Sequence, residues 1–210
     1  MLLYFIKNCE VIIIKRQYFN SLASEWDEMA DVDEKFISRV FDLFPDFEKP
    51  NILDVGSGTG VLIPFVFDIY GEKAFITEVD YSEDMIALAK DKFESDNIEF
   101  KAQDILNITF EKTFDLILCY SVFPHFSDKE EVINKLSNIL NSEGKLVIFH
   151  SSSRKELNEF HSSKEDAPIS DDILPPAEEV SDMARKANLS TEYIKDDEEG
   201  YVIILAPEIN

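Results

Sequence analysis

Cysteine, glycine and basic side chains are all scarce in this chain of 210 residues. Its two cysteines, Cys9 and Cys119, are too few to build a disulfide framework or a thiolate metal site. There are 20 basic residues against 43 acidic ones, which gives a formal net charge of −23. A field of that sign repels phosphate backbones and anionic lipids, so the composition argues against a nucleic-acid partner.

Long apolar runs are also missing. Residues 1–14 are apolar, but Lys7, Asn8 and Glu10 interrupt them, and no basic n-region or cleavage site of a leader is present. We therefore expect no membrane insertion and a cytoplasmic protein. We interpret residues 1–17 as an N-terminal extension, which forms an added strand, a partner-binding arm or a plain extension. Residues 18–210 are enough for one domain with a sizeable core.

Three of the six glycines lie together, in the stretch Asp54-Val-Gly-Ser-Gly-Thr-Gly60. An apolar run typical of a buried parallel strand precedes them, and a helix-like run follows. Glycine at such a turn lets the backbone approach a ligand closely, because no Cβ intrudes. A nicotinamide-type fingerprint would need its third glycine at position 61, which is Val61 here.

A second stretch, residues 75–80, reads as a strand that ends in the carboxylate of Asp80. In βαβ units, an acid at this place accepts hydrogen bonds from ribose hydroxyls. The plainer alternative is a generic Rossmann-like turn with a solvated Asp80. Together the two stretches resemble the first motifs of class I S-adenosylmethionine-dependent methyltransferases of the small-molecule type, including the ubiquinone and menaquinone C-methyltransferase group.

The resemblance covers about residues 18–206 and implies S-adenosylmethionine as cofactor, with S-adenosylhomocysteine as product. Alternating strands and helices predict an α/β, Rossmann-like, doubly wound sheet of seven strands, mostly parallel. By resemblance, the last strand is antiparallel. The glycines should approach the methionine part of the cofactor, Asp80 the ribose and Asp104 the adenine. The full set of predicted cofactor contacts is Asp54, Gly56, Ser57, Gly58, Thr59, Gly60, Asp80, Tyr81, Asp104, Ile105 and Tyr120.

Residues 18–44 precede the glycine loop and read as two amphipathic helices. The first resembles the aromatic opening segment of many small-molecule methyltransferases. Two interpretations compete: a helical lid over the cofactor and acceptor, with Tyr18 and Trp26 contacting the substrate, or ordinary packing on the core. We also expect the crossover helix after the glycine loop at 59–70, a helix at 127–141 and a fifth strand at 145–149.

The three histidines, His125, His150 and His161, are all predicted at one edge of the sheet, over the cofactor pocket. His150 and His161 belong to an acceptor-side insert, residues 150–176, in which Arg154 and Asn158 share a helix face with His161. Three interpretations of the histidines compete. They bind and deprotonate a small acceptor, they ligate a divalent metal, or they are structural groups bonded to loop carbonyls. His125 is the first choice for the base, and we assign no metal ligands.

These patterns predict an enzyme that moves the methyl group of S-adenosylmethionine to a small-molecule acceptor. The alternatives are a non-catalytic S-adenosylmethionine-binding or regulatory module and, less favoured because of Val61, a nicotinamide-dependent oxidoreductase. The Asn/Asp-Pro-Pro-Tyr motif of adenine and glutamine amide methyltransferases is missing, which argues against those acceptors. The sequence does not specify the acceptor atom or the oligomeric state.

Overall fold

The computed structural model describes residues 2–208, with side chains from residue 10 onward. The strands are β1 Asn51–Val55, β2 Phe75–Asp80, β3 Ile98–Ala102, β4 Phe114–Tyr120, β5 Leu140–His150, β6 Leu189–Asp197 and β7 Gly200–Pro207. The helices are α1 Leu2–Leu22, α2 Trp26–Met29, α3 Glu34–Phe41, α4 Ile63–Tyr70, α5 Glu83–Lys92, α6 Lys129–Ser137, α7 Arg154–Ser162 and α8 Ala177–Lys186.

The seven strands form one sheet in the order β3-β2-β1-β4-β5-β7-β6. Pairing is parallel from β3 to β5, and β7 runs antiparallel to both β5 and β6. The predicted seven-stranded, mostly parallel sheet with an antiparallel last strand is therefore confirmed. Strand order reverses between β1 and β4, and ligands of open α/β sheets bind beyond the carboxyl ends of the strands at such a point.

Apolar side chains fill both faces of the sheet, as two separate clusters. On one face, helices α6 and α8 cover β1, β4 and β5 with side chains such as Ile133 and Val180. On the other face, α3 and α4 contribute Phe36 and Val66. The carboxyl ends of the strands are thereby fixed against a rigid core. Within the described residues, no helix has the length and apolar character needed to cross a membrane.

Several element boundaries differ from the prediction, and β5 begins at Leu140 rather than at 145. The helix expected at 127–141 ends at Ser137, because Leu140 already pairs with Phe114 at the start of β5. The helix expected at 59–70 begins at Ile63, since the backbone is still in the positive-φ region at Gly60 (φ 83°). Residues 2–22 form one helix, so the boundary drawn between residues 17 and 18 falls inside α1.

Candidate functional site

The glycine loop leaves β1 at the reversal of strand order and turns back over the sheet. Gly56 donates its N–H to the Val79 carbonyl (2.7 Å), which ties the start of the loop to β2. At Gly56 the backbone has a φ of 70°, and a Cβ there would lie 2.2 Å from Val122 Cγ2. Only glycine fits a turn with this conformation and this close approach.

Asp80, at the end of β2, is hydrogen-bonded to the glycine loop. Its Oδ2 accepts the Gly58 N–H (3.0 Å) and its Oδ1 accepts the Ser82 N–H (2.8 Å). The side chain is buried, and this burial raises the pKa of Asp80 to about 6 despite the two donors. The predicted ribose-binding carboxylate and the predicted loop therefore lie in direct contact.

Two further acids are buried behind this loop. Asp54 of β1 and Glu78 of β2 are register partners in the parallel ladder. Asp54 Oδ2 and both Glu78 carboxylate oxygens are buried and find no partner among the described residues. Burial raises the pKa of Asp54 to about 8, and repulsion from Asp80 adds to this shift. Burial also raises the pKa of Glu78 well above its ordinary value, and repulsion from Asp54 adds to that shift. This site fits a cationic ligand such as S-adenosylmethionine, which carries an ammonium group and a positive sulfur.

The remaining predicted cofactor contacts surround the same edge. Asp104 accepts the Leu106 N–H (3.0 Å) and so fixes the turn after β3, where Ile105 is buried. The Tyr81 hydroxyl is buried without a partner among the described residues, and burial raises its pKa. Tyr120, at the end of β4, has its hydroxyl 3.4 Å from Ser151 Oγ. We name the three buried acids Asp54, Glu78 and Asp80 the acidic pocket, and aromatic and polar groups border it.

Residues 15–29, which we name the covering segment, lie across this edge of the sheet. Trp26 Nε1 lies 3.6 Å from the point that a Cβ on Gly58 would occupy. Asn20 accepts a hydrogen bond from Ser82 Oγ (2.5 Å), and Asp27 accepts one from Thr59 Oγ1 (2.5 Å). Asp27 also pairs with Lys92 (2.8 Å). The covering segment therefore contacts the glycine loop as well as the start of α5.

His125 lies in the turn after β4 and is bonded to Asp172, from the loop before α8. The distance from His125 Nδ1 to Asp172 Oδ2 is 2.7 Å, and the other oxygen of Asp172 pairs with Lys15 of α1. A carboxylate can only accept, so Nδ1 carries the proton and the neutral ring has its lone pair on Nε2. Burial lowers the pKa of His125, although Asp172 partly opposes the shift.

His161 and His150 have different surroundings. The His161 ring centroid lies 5.2 Å from that of His125, and His161 Nδ1 bonds the backbone carbonyl of Asp172 (2.8 Å). This is the contact that the structural interpretation expects. His150 is buried against Tyr201, with its Nε2 unpaired within the described residues. Burial, reinforced by the other two histidines, lowers its pKa to about 3, so this imidazole is neutral.

The metal hypothesis has no support from the geometry. In residues 10–208, no group of three or more His, Cys, Asp and Glu side chains is arranged to hold a metal ion. Cys119 is buried in β4, and burial raises the pKa of its thiol.

Arg154 and Asn158, predicted to bind substrate, are hydrogen-bonded to other groups of the protein. Arg154 Nε donates to both carboxylate oxygens of Asp196 in β6 (2.8 and 3.1 Å). Asn158 exchanges two hydrogen bonds with the backbone of Leu174 (2.8 and 3.0 Å). These contacts attach α7 to β6 and to the loop before α8, and they favour a structural role for both side chains. Tyr18 stacks edge-on against Phe19, at 5.4 Å.

Among the members of the site that sequence reasoning missed are two charged residues next to His125, Lys15 and Asp172. Both are charged and yet almost fully buried, at 5% and 7% exposure. Lys15 lies in the stretch assigned to the N-terminal extension, and Asp172 lies in a polar loop beside another acid, Asp171. No local pattern distinguishes them. Only their pairing with each other and with His125 explains the burial of both charges.

Comparison with known proteins identifies the relatives of the chain. The family model described as "Methyltransferase domain" matches residues 46–198. The chain is 32% identical, over 170 residues, to the malonyl-acyl-carrier-protein O-methyltransferase of Acetivibrio thermocellus, covering 79% of this chain and 59% of the relative. It is 26% identical, over 152 residues, to the ubiquinone/menaquinone biosynthesis C-methyltransferase UbiE of Wigglesworthia glossinidia brevipalpis, covering 68% and 60%. The chain thus spans little more than half the length of these relatives.

Solved structures share the fold. The methyltransferase bound to the Trm112 methyltransferase activator of Haloferax volcanii superposes with a TM-score of 0.75 at 18% identity, covering 90% of this chain and 98% of that one. The complex of DhpI with S-adenosylmethionine and HEP gives 0.73 at 18% identity, covering 94% and 98%. At these identities the likeness concerns the fold alone.

Proposed function

Because this chain belongs to the methyltransferase domain family, whose members use S-adenosylmethionine, we propose that it transfers the methyl group of that cofactor to a small-molecule acceptor in the cytoplasm. One observation carries the proposal: the Phe19 ring contacts both halves of the site. Its centroid lies 6.1 Å from Tyr81, beside Asp80, and 5.1 Å from His125. The acidic pocket and the histidine thus lie under one covering segment.

The residues of the acidic pocket suit each part of the cofactor. Asp80 offers carboxylate oxygens to the ribose hydroxyls, and Asp54 offers an unpaired oxygen to the ammonium group. The glycine loop lets the methionine part approach the backbone closely, because no Cβ intrudes there. When bound, the cofactor supplies a methyl group on a positively charged sulfur, which is a good leaving group. The protein therefore contributes mainly alignment and exclusion of water.

His125 is the residue we assign as acceptor-side base. Its pKa is lowered, so the ring is neutral at pH 7, and its Nδ1–H is held by Asp172. The lone pair on Nε2 takes a proton from the acceptor as the new bond forms. A carboxylate acceptor arrives already ionised and needs no base. The neutral imidazole thus favours an acceptor whose reacting atom carries a proton, such as a phenol, a carbon acid or an ammonium group.

The names of the relatives supply two competing acceptor classes, a carbon of the quinone type and an oxygen of the acyl-carrier type. The non-catalytic binding module is the third possibility. We disfavour it because cofactor binding alone gives no reason to hold His125 in its base tautomer.

A labelled-cofactor screen tests the proposal. The protein is incubated with S-adenosylmethionine carrying a deuterated methyl group and with a small-molecule extract, and mass spectrometry detects labelled products. We expect a product that is absent with His125→Gln. A label released by mild base indicates a methyl ester, whereas a base-stable label indicates an ether, amine or carbon product. Full S-adenosylhomocysteine binding with no labelled product from any extract supports the binding module instead.

A further inference from the structure

Lys15, Asp172 and His125 form a buried chain of charges from three distant segments. Lys15 Nζ pairs with Asp172 Oδ1 and also donates to the backbone carbonyl of His125 (3.3 Å). Asp172 Oδ2 accepts from His125 Nδ1 (2.7 Å). The side chains of Lys15 and Asp172 are only 7% and 8% exposed. Water therefore screens these charges poorly, and each one acts strongly on the others.

The sign of these charges decides which form of His125 is stable. Asp172 alone would favour the imidazolium, since a negative charge at hydrogen-bond distance stabilises a proton on the ring. The ammonium of Lys15 compensates Asp172. With both present, the imidazole lies beside a pair of zero net charge, and its burial then favours the neutral ring.

The other charged and titratable groups around His125 do not replace Lys15. His161 of α7 opposes protonation of His125, and His150 of β5 carries no charge near pH 7, because burial lowers its pKa to about 3. Lys129 of α6 also feels the charge of Asp172, which opposes the lowering of its pKa by burial, but its ammonium donates to the carbonyls of Pro124 and Phe126 (3.0 and 2.9 Å) rather than to Asp172. Tyr81 carries no charge near pH 7, because burial raises its pKa.

Lys15 belongs to the covering segment, whose other polar contacts are with the opposite side of the site. Arg16 pairs with Glu83 (3.6 Å), and Asn20 bonds Ser82 and Glu83. Lys15 is thus the residue whose polar contacts join this segment to the acceptor base, beside the apolar contact of the Phe19 ring with His125.

We propose that Lys15 is a positioning residue: by compensating Asp172 when the covering segment is docked, it holds His125 in the neutral form that accepts a proton. This rests on the proposed function of His125 as base. Docking of the segment and the protonation state of His125 are then linked. By reciprocity, protonating His125 weakens the docking of the segment.

Titration of His125 by NMR tests the charge effect without any acceptor. Histidine is isotopically labelled, His125 is assigned with H125Q, and its pKa is measured in the complex with S-adenosylhomocysteine. We expect Lys15→Met to raise the pKa of His125 by about one unit or more, since an uncompensated carboxylate then faces the ring. Lys15→Arg, which keeps the charge, should restore the wild-type value.

Arg16→Met is the matched control, because it removes a neighbouring cation of the same helix that pairs with Glu83 rather than Asp172. It should leave the pKa of His125 unchanged. If Lys15→Met does not fold, the double variant Lys15→Met with Asp172→Asn removes both buried charges at once. Its His125 pKa should lie at or below that of the wild type. An unchanged pKa in Lys15→Met, or equal shifts in Lys15→Met and Arg16→Met, overturns the inference.

Hydrogen exchange tests the reciprocal effect. Protection of amides in residues 15–22 should fall as the pH is lowered through the pKa of His125, compared at each pH with H125Q. Identical pH dependence in the two proteins contradicts the linkage. The base itself is tested separately: an H125Q with wild-type turnover overturns the assignment of His125 as base, whereas an inactive H125Q with an unshifted pKa in Lys15→Met overturns only the role of Lys15.

Discussion

Two groups of buried polar side chains, one in each half of the site, differ in whether they find partners within the protein. On the cofactor side, Asp54 and Glu78 are buried with oxygens that lack a partner among the described residues. On the acceptor side, His125 and His161 are each bonded to Asp172, whose charge Lys15 compensates. An unpaired buried carboxylate is costly and is tolerated where a ligand completes it. A satisfied network instead fixes a tautomer and an orientation.

This difference predicts different losses of turnover, cofactor affinity or stability when each half of the site is altered. The largest is expected for His125→Gln, which keeps a polar side chain but removes the base. Turnover should fall by about 10²- to 10⁴-fold, the usual scale for a lost general base. Affinity for S-adenosylhomocysteine, measured by calorimetry, should stay at the wild-type level, because Asp80 and the glycine loop are untouched.

His161→Gln is the matched control for His125→Gln, since His161 bonds a loop carbonyl and is 3% exposed. It should lower thermal stability while the folded protein retains its turnover. Equal losses of turnover in the two variants would show that the histidines act as one unit and that the distinction between base and structural group is wrong.

The next effect is expected on the cofactor side, with Asp80→Ala. Losing two charge-assisted bonds to ribose should weaken S-adenosylhomocysteine binding by roughly 2–4 kcal/mol, about 30- to 900-fold in Kd. Asp115→Ala is the control, because Asp115 lies near the start of β4, away from the end that carries Tyr120 and the site, and bonds Asn51 and Asn141. Calorimetry with both variants measures the difference. Wild-type affinity in Asp80→Ala would remove the assigned ribose contact.

The unpaired acids should also affect how the free energy of unfolding depends on pH. The folded-state pKa of Glu78 is raised, so the folded protein binds more protons than the unfolded chain at neutral pH, and stability falls as the pH rises. Glu78→Gln removes that cost. It should raise the free energy of unfolding of the unliganded protein by about 1–3 kcal/mol at pH 8, and the gain should vanish as the pH falls to about 4.5.

Denaturant titrations at pH 5 and pH 8 measure this effect of Glu78→Gln. The control is Glu99→Gln in β3, whose carboxylate is partly exposed and pairs with Lys101, which lowers the pKa of Glu99. That variant should lose a little stability at pH 8 rather than gain it. A loss of stability in Glu78→Gln at pH 8 would mean that the Glu78 carboxylate has a stabilising partner.

The difference between the two halves of the site also explains which of their residues the sequence could predict. The glycine loop and the acid at the end of β2 could be predicted, because residues 54–60 and Asp80 form recognisable patterns within two neighbouring elements. The network at His125 is not local, because Asp172 is 47 positions from His125 and 157 from Lys15. A single buried Lys or Asp has no periodic pattern, and its partner is known only once the chain is folded. The helical spacing that joined Arg154, Asn158 and His161 correctly predicted a helix but not the partners of its side chains.

The smallest effect is expected within the insert, with Asn158→Ala. Asn158 holds the backbone of Leu174 through two hydrogen bonds, and Leu174 is fully buried in the core. The loop from Leu174 back to Asp172 therefore depends on this anchor. Removing it should cost about 1–2 kcal/mol of stability, the usual scale for a lost buried backbone partner. Arg154→Met, which loses only a half-exposed pair with Asp196, should cost less than about 1 kcal/mol. Thermal unfolding and the KM for the acceptor are measured together for both variants. If Asn158 is a structural anchor, Asn158→Ala lowers the unfolding temperature and leaves KM unchanged. A raised KM at wild-type stability would instead show that Asn158 contacts the acceptor, as the sequence predicts.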